Sequence, residues 1–150
     1  MQEGQEEKEI NGKVIIQTYS PENFCIECSK KQNYEEFYET EILLRRQLKY
    51  PPYCDIIMFN VVSSDKEEVE KSAQNLYKIL HKSNNGAMDL FGAVPAPIDK
   101  IKNRYRWRII AKCKLNNKII DIINTSLEEF YKCKFKKTKI SICTNPNNMS

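Results

Sequence analysis

From Asp55 onward the apolar positions alternate between strand-like runs and helical spacing. Asp55 to Val62 (DIIMFNVV) is a β-branched run that predicts a strand. Ser64-Asp65-Lys66-Glu67-Glu68 then carries a capping-box pattern, either Ser64 with Glu67 or Asp65 with Glu68. Val69, Ala73, Leu76 and Leu80 follow at steps of four, three and four, which predicts a helix closed by Asn84-Asn85-Gly86. Met88 to Phe91 predicts a short second strand, Gly92 to Pro97 a Pro-rich turn, and Ile98 to Asn103 a continuing loop. Tyr105 to Lys114 predicts a third strand. Asn116 caps a helix through Ile119, Ile123, Leu127 and Phe130, and Lys139 to Thr144 predicts the last strand. The order β-α-β-β-α-β predicts an α+β fold, a ferredoxin-like sandwich. Its four-stranded antiparallel sheet would carry two helices on one face.

Upstream, Lys13 to Tyr19 (KVIIQTY) predicts a strand arm between Gly12 and Ser20-Pro21. Glu22 to Gln32 reads as an irregular or weakly helical connection. Asn33 is a helix N-cap, with Glu35 and Glu36 in the favourable first turn. Tyr34, Phe37, Glu41, Leu44 and Leu48 share one stripe, widened by Tyr38 and Ile42. Arg45, Arg46 and Lys49 complement the dipole at the helix end, and Pro51-Pro52 stop it. Two segments are expected: residues 1–33, a polar tail and arm, and residues 34–150, the main domain.

Composition adds bounds. The chain has 150 residues, 41% of them hydrophobic, enough for one core. A net charge of +4 permits nucleic-acid contact without proving it. No segment is apolar enough to span a membrane, and the start MQEGQEEKEI lacks a signal's basic and apolar regions, so a cytoplasmic location is expected. The six cysteines are then expected to be reduced. Cys25 and Cys28 form a CxxC pair, but there is no second pair and the one histidine, His81, sits at a helix end. No metal site and no cofactor are expected. The pairs Glu35-Glu36, Glu67-Glu68 and Glu128-Glu129 lie at helix ends or on polar faces, where nothing tunes a catalytic pKa. Phosphate-loop, GxSxG and HExxH motifs do not occur.

The third strand carries the candidate chemistry. Trp107, Ile109, Ala111 and Cys113 fall on one face, and Arg104, Arg106, Arg108, Ile110, Lys112 and Lys114 on the other. With Lys100 and Lys102 they form a basic stripe. It could follow a phosphate backbone, hold an acidic peptide through bidentate guanidinium contacts, or be a solvated or docked face. A second cluster, Lys132, Lys134, Lys136, Lys137 and Lys139, is interleaved with Phe130, Tyr131 and Phe135. It suits single-stranded nucleic acid, or else a solvated loop whose aromatics fold back into the core.

Four blocks carry a resemblance: GKVIIQTYSPE at Gly12 to Glu22, YEEFYETEILLRRQLKYPPY at Tyr34 to Tyr53, GAVPAP at Gly92 to Pro97, and RYRW at Arg104 to Trp107. In this order they resemble the C-terminal part of the primosomal replication-restart DNA helicases, the primosomal protein N′ family. The resemblance implies that residues 1–33 end the second helicase lobe. It makes 34–150 a C-terminal module, likened to a small-subunit ribosomal protein. ATPase motifs and zinc cysteines belong to upstream regions absent here, so the start at Met1 reads as a truncated gene or an excised piece. The family's usual end, Asp-x-Asp-Pro, is replaced by Cys143-Thr144-Asn145-Pro146, which leaves the role of those acids open.

The expected function is therefore a non-catalytic module binding branched or single-stranded DNA and replication partners. Those partners are the acidic tail of single-stranded-DNA-binding protein, primosome proteins and the remainder of the helicase, with no membrane. Arg104, Arg106, Arg108, Lys112, Lys114, Lys100 and Lys102 would make the contacts, and Arg45, Arg46 and Tyr50 would dock the helicase core. The alternatives are a purely structural docking domain, or a small acylphosphatase-like hydrolase. The hydrolase would want a glycine-containing loop ending in arginine where Val62-Ser63-Ser64-Asp65 stands.

Overall fold

The computed structural model describes residues 14–147. Its elements are α1 (Phe24–Lys30), α2 (Tyr34–Gln47), β1 (Asp55–Ser63), α3 (Lys66–Ser83), β2 (Asp89–Ile101), β3 (Arg104–Cys113), α4 (Asn117–Tyr131) and β4 (Lys139–Thr144). The chain separates into two compact units, one up to Glu41 and one from Ile42.

In the first unit, Asn23 caps α1, its side chain accepting from the Cys25 N–H at 2.9 Å. The stretch read as an irregular or weakly helical connection thus contains a regular helix. Asn33 accepts from the Glu36 N–H at 3.2 Å, as an N-cap should. The rings of Phe24 and Phe37 stack at 6.4 Å. The expected strand at Lys13 to Tyr19 is not formed: residues 14–19 make no β pairing, and Val14 and Ile15 are exposed, while Lys13 lies outside the described residues. β-branched residues favour extended backbone, but a strand exists only against a neighbour that takes its hydrogen bonds.

The second unit is the ferredoxin-like sandwich, with sheet order β2-β3-β1-β4 and every neighbouring pair antiparallel. Ile57, Phe59 and Val61 of β1 and Ile109 and Ala111 of β3 point to one face. There they meet Val69, Ala73, Leu76 and Leu80 of α3 and Ile119, Ile123 and Phe130 of α4 in one core. The sequence periods match these buried positions because a strand buries every second residue and a helix one stripe.

Asp65 is the α3 N-cap, accepting from the N–H groups of Glu67 and Glu68 at 3.0 and 3.2 Å. Glu68 reaches instead to the segment before β4, where its carboxylate accepts from the Lys137 N–H at 2.7 Å and the Thr138 hydroxyl at 3.0 Å. Asn84 closes the far end of α3, exchanging two 2.7 Å bonds with the Met88 backbone.

β2 is longer than its sequence suggests. It runs 13 residues, through the prolines that read as a turn. It lies at the sheet edge, where a proline's missing N–H costs no ladder bond. Register shifts between Phe91 and Val94 and between Pro95 and Lys100 absorb the irregular residues. The actual turn is Lys102-Asn103, both at positive φ, as a two-residue hairpin of type I′ demands.

Past β4, Asn145 ties the chain end to the start of β1. Its amide accepts from the Ile56 N–H at 2.8 Å and donates to Asp55 at 2.9 Å, and its own N–H donates to the Ile56 carbonyl at 2.7 Å. Donation from Asn145, and then from the Leu115 N–H, holds the Asp55 carboxyl below the usual carboxylate range. Asn145→Ala should cost about 1–2 kcal/mol, read by urea unfolding at neutral pH. With its folded pKa depressed, Asp55 contributes stability above the unfolded value and loses it as pH falls through the folded one. The variant should therefore lose less stability than the parent between about pH 5 and pH 2.

Candidate nucleic-acid interface

β3 presents its two sets of side chains as expected. Ile109 and Ala111 are fully buried beneath the helices, with Trp107 packed against the same core. Arg104, Arg106, Arg108, Ile110 and Lys112 therefore fall on the helix-free face. The register arranges that face in rows across the sheet. Arg106 pairs with Val62, which pairs with Lys139, so the two cations flank one valine with strand axes about 10 Å apart. Arg108 lies beside Asn60 and Ser141, and Ile110 beside Met58, Cys143 and Phe91. The face is thus graded from basic at the start of β3 to apolar further along.

This grading divides the expected stripe. Lys112 is taken up by the fold: its ammonium donates to the Leu48 carbonyl at 3.0 Å and lies 3.9 Å from the centre of the Tyr50 ring. Lys49 pairs with Asp89 at 2.7 Å beside it, which raises the lysine's pKa. Lys114, just past β3, stands at the opposite end of the strand from Arg104, roughly 30 Å away at strand rise. Lys100 pairs with Tyr105, on the helix side of the sheet, with its ammonium 5.1 Å from that ring. Lys102 occupies the hairpin turn next to Arg104.

Arg104 stands between two hollows. One, of about 430 Å³, is lined by Val62, Ile101, Lys102, Arg104 and Arg106. The other, of about 250 Å³, gathers Arg104 with Lys136, Lys137 and Lys139 and with the hydroxyl-bearing Ser63, Ser64 and Thr138. The three lysines were read in sequence as a separate cluster. In an antiparallel sheet with β1 between β3 and β4, the starts of both outer strands meet the end of β1, so the topology itself brings the clusters together. Two aromatics of that cluster follow the fold-back alternative, Phe130 being buried and Phe135 stacking on it at 5.5 Å, whereas Tyr131 stays exposed.

The groups around the second hollow suit binding better than proton transfer. Asp65 is held below the usual carboxylate range, first by the Glu68 N–H, so it stays ionised. Its carboxylate occupies the first N–H groups of α3, where a hydrolase of the acylphosphatase kind would seat its phosphate. Cys25 and Cys28 lie on α1 beside a hollow of about 340 Å³. Burial pushes the Cys28 thiol up, opposite to what a reactive thiolate needs. Cys113 is pushed up to about 11 by burial. Among the described residues no group of three or more His, Cys, Asp or Glu side chains is placed to hold a metal ion, and no helix is long and apolar enough to cross a membrane.

The family model of the primosomal protein N C-terminal domain matches residues 46–147, more than half of the chain. The chain belongs to this family. The replication restart protein PriA of Bacillus subtilis (strain 168) is 37% identical over 142 residues, covering 92% of this chain and 17% of the relative. PriA of Synechocystis is 36% identical over 101 residues, covering 67% and 12%, and PriA of Thermotoga maritima is 29% identical over 116 residues, covering 77% and 15%. The chain thus spans less than a fifth of the length of these relatives. Among solved structures, the de novo designed protein Foldit4 gives a TM-score of 0.48 at 9% identity, over 63% of this chain and 99% of its own.

In this primosomal protein N C-terminal domain, the altered end has a structural use. Asn145 stands before Pro146, and it donates to Asp55. A carboxylate there would face the Asp55 carboxylate instead. Arg45 donates to the Pro51 carbonyl at 3.2 Å, and Arg46 lies in the exposed last turn of α2. Lys112→Met should lower unfolding free energy by about 1 kcal/mol through loss of the Leu48 and Tyr50 contacts, whereas Arg106→Met should change it by less. Urea melts of the two variants side by side check the difference.

Proposed function

We propose that this chain is the non-catalytic C-terminal module of a replication-restart DNA helicase, and that it binds branched or single-stranded DNA in the cytoplasm. The observation that carries the reading is Arg104 and Arg106 on the helix-free face, with Lys102 and Lys139 close by, in a member of this family. Cations in such a row neutralise successive phosphates and release counterions. Asp65 filling the α3 N-terminus speaks against a phosphate-hydrolysing role for the β1–α3 loop. Arg108 follows Arg106 on the same face, beside Asn60, and would extend the row. Lys112 holds Leu48 and Tyr50 in place, and Lys100 and Lys114 lie apart from the row.

A second reading, a docking domain for the rest of the helicase, is favoured by one observation. Leu43, Leu44 and Leu48 near the end of α2 are 46–58% exposed. Apolar side chains in that position suit a protein surface, and Arg46 beside them would supply a charged rim. The same basic row could take the acidic tail of single-stranded-DNA-binding protein or another primosome protein.

Binding of the 150-residue chain to a fluorescent forked DNA, followed by anisotropy over rising salt, tests the DNA reading. Arg104→Ala with Arg106→Ala should weaken binding about tenfold or more and lower the salt slope by about two units. No binding at low salt, or unchanged binding by the double variant, would overturn it. Docking would then stand as the better account.

A further inference from the structure

The Arg104 hollow at the end of β1 is more than the continuation of a basic row. Three elements converge on it: the end of β1 with Ser63 and Ser64, the start of β3 with Arg104, and the segment Lys136 to Lys139 entering β4. That segment is held in place. Glu68 accepts from the Lys137 N–H and the Thr138 hydroxyl, and the Thr138 oxygen lies 3.3 Å from the Ser72 hydroxyl oxygen. Lys137 directs its ammonium towards Asp65 at 3.6 Å in an exposed pair. Arg104, Lys136 and Lys139 remain as the cations facing the hollow, and Ser64 adds a hydroxyl-bearing side chain to its lining. The Ser63 hydroxyl instead accepts from the Asp65 N–H, and the Thr138 hydroxyl donates to Glu68. The helix N-terminus is not its donor set, because Asp65 already accepts from the Glu67 and Glu68 N–H groups. Val62 is the one apolar side chain in the lining.

We propose that this hollow is a phosphate-binding pocket that receives a nucleic-acid phosphate where the strand leaves the sheet face. The inference rests on the DNA-binding reading above and deepens it by giving the strand a path. From Lys102 and Arg106 the backbone passes Arg104, which borders both hollows, and turns over the end of β1 to Lys136 and Lys139. Three cations around one small cavity match the compact charge of a phosphate. An aspartate-rich peptide is the other anion such cations could hold, and the test below separates the two. The phosphate could be an internal diester or a strand-end monoester, and the two share this chemistry.

The test uses the 150-residue chain and two probes. First, inorganic phosphate at millimolar concentrations is titrated while backbone amide shifts are followed. Changes centred on Ser63, Ser64 and Lys136 to Lys139 support the pocket, and their absence overturns it, whatever DNA does. Second, forked DNA and single strands with or without a terminal phosphate are bound to Lys136→Gln with Lys139→Gln, and to Lys82→Gln with Lys118→Gln as a control on the helices. The pocket variant should bind about five- to tenfold more weakly with a salt slope lower by one to two units, and the control should match the parent. A loss confined to strands with a terminal phosphate assigns the monoester; an equal loss on all strands assigns the diester. If Arg104→Ala with Arg106→Ala abolishes binding but the lysine pair does not, the pocket falls and the DNA reading stands. If an aspartate-rich peptide shifts these amides and phosphate does not, the nucleic-acid assignment is overturned in favour of a protein partner.

Discussion

Helices α3 and α4 pack together on one face of the sheet, and most of the second unit's character follows from that. A strand shared between a dry core and an open surface must carry two chemistries in strict alternation, because neighbouring side chains point to opposite sides. In β3 the buried set is Ile109 and Ala111, and the opposite set is dominated by cations. A slip of one residue would bury guanidinium groups against Phe59 and Leu76 and expose the core, so the register is strongly specified. The arginines are therefore positioned by the hydrophobic set behind them.

The open face is not uniform. Towards the end of β3 it is occupied by the chain itself: Lys112 reaches Leu48 and Tyr50, Lys49 reaches Asp89, and Ile56 and Met58 on that side of β1 are buried. Towards the start of β3 the cations border open hollows instead. The same residue type thus has two uses along one strand. A lysine beside a ring and a carbonyl stabilises the fold, while an arginine above an empty depression is available for a ligand.

Much of this was legible in the sequence. The order of the sandwich elements, the N-caps at Asn33 and Asn116, the bounds of β4 and the two faces of β3 all follow from local spacing. For α3 the spacing left Ser64 and Asp65 as alternatives, of which Asp65 is the cap. What escaped were features set by distant neighbours. β2 looked broken because prolines punctuate most chains, yet at a sheet edge they do not. Lys13 to Tyr19 looked like a strand because propensity reports willingness to extend, not the presence of a partner. Lys100 and Lys112 looked like members of one stripe, because periodicity gives the face of a residue but not what that face touches. Lys136 and Lys139 could have been joined to Arg104 by reasoning from the sandwich topology, since strand order alone brings those ends together.

The prolines at positions 95 and 97 have a consequence for the molecule in a crowded solution. An edge strand with a continuous row of N–H donors is a template on which another chain can add its own strand. β2 lacks two of those donors and has two register shifts, both of which work against continuous pairing with a second copy. The covalent nature of those residues thus disfavours strand addition around positions 95–97.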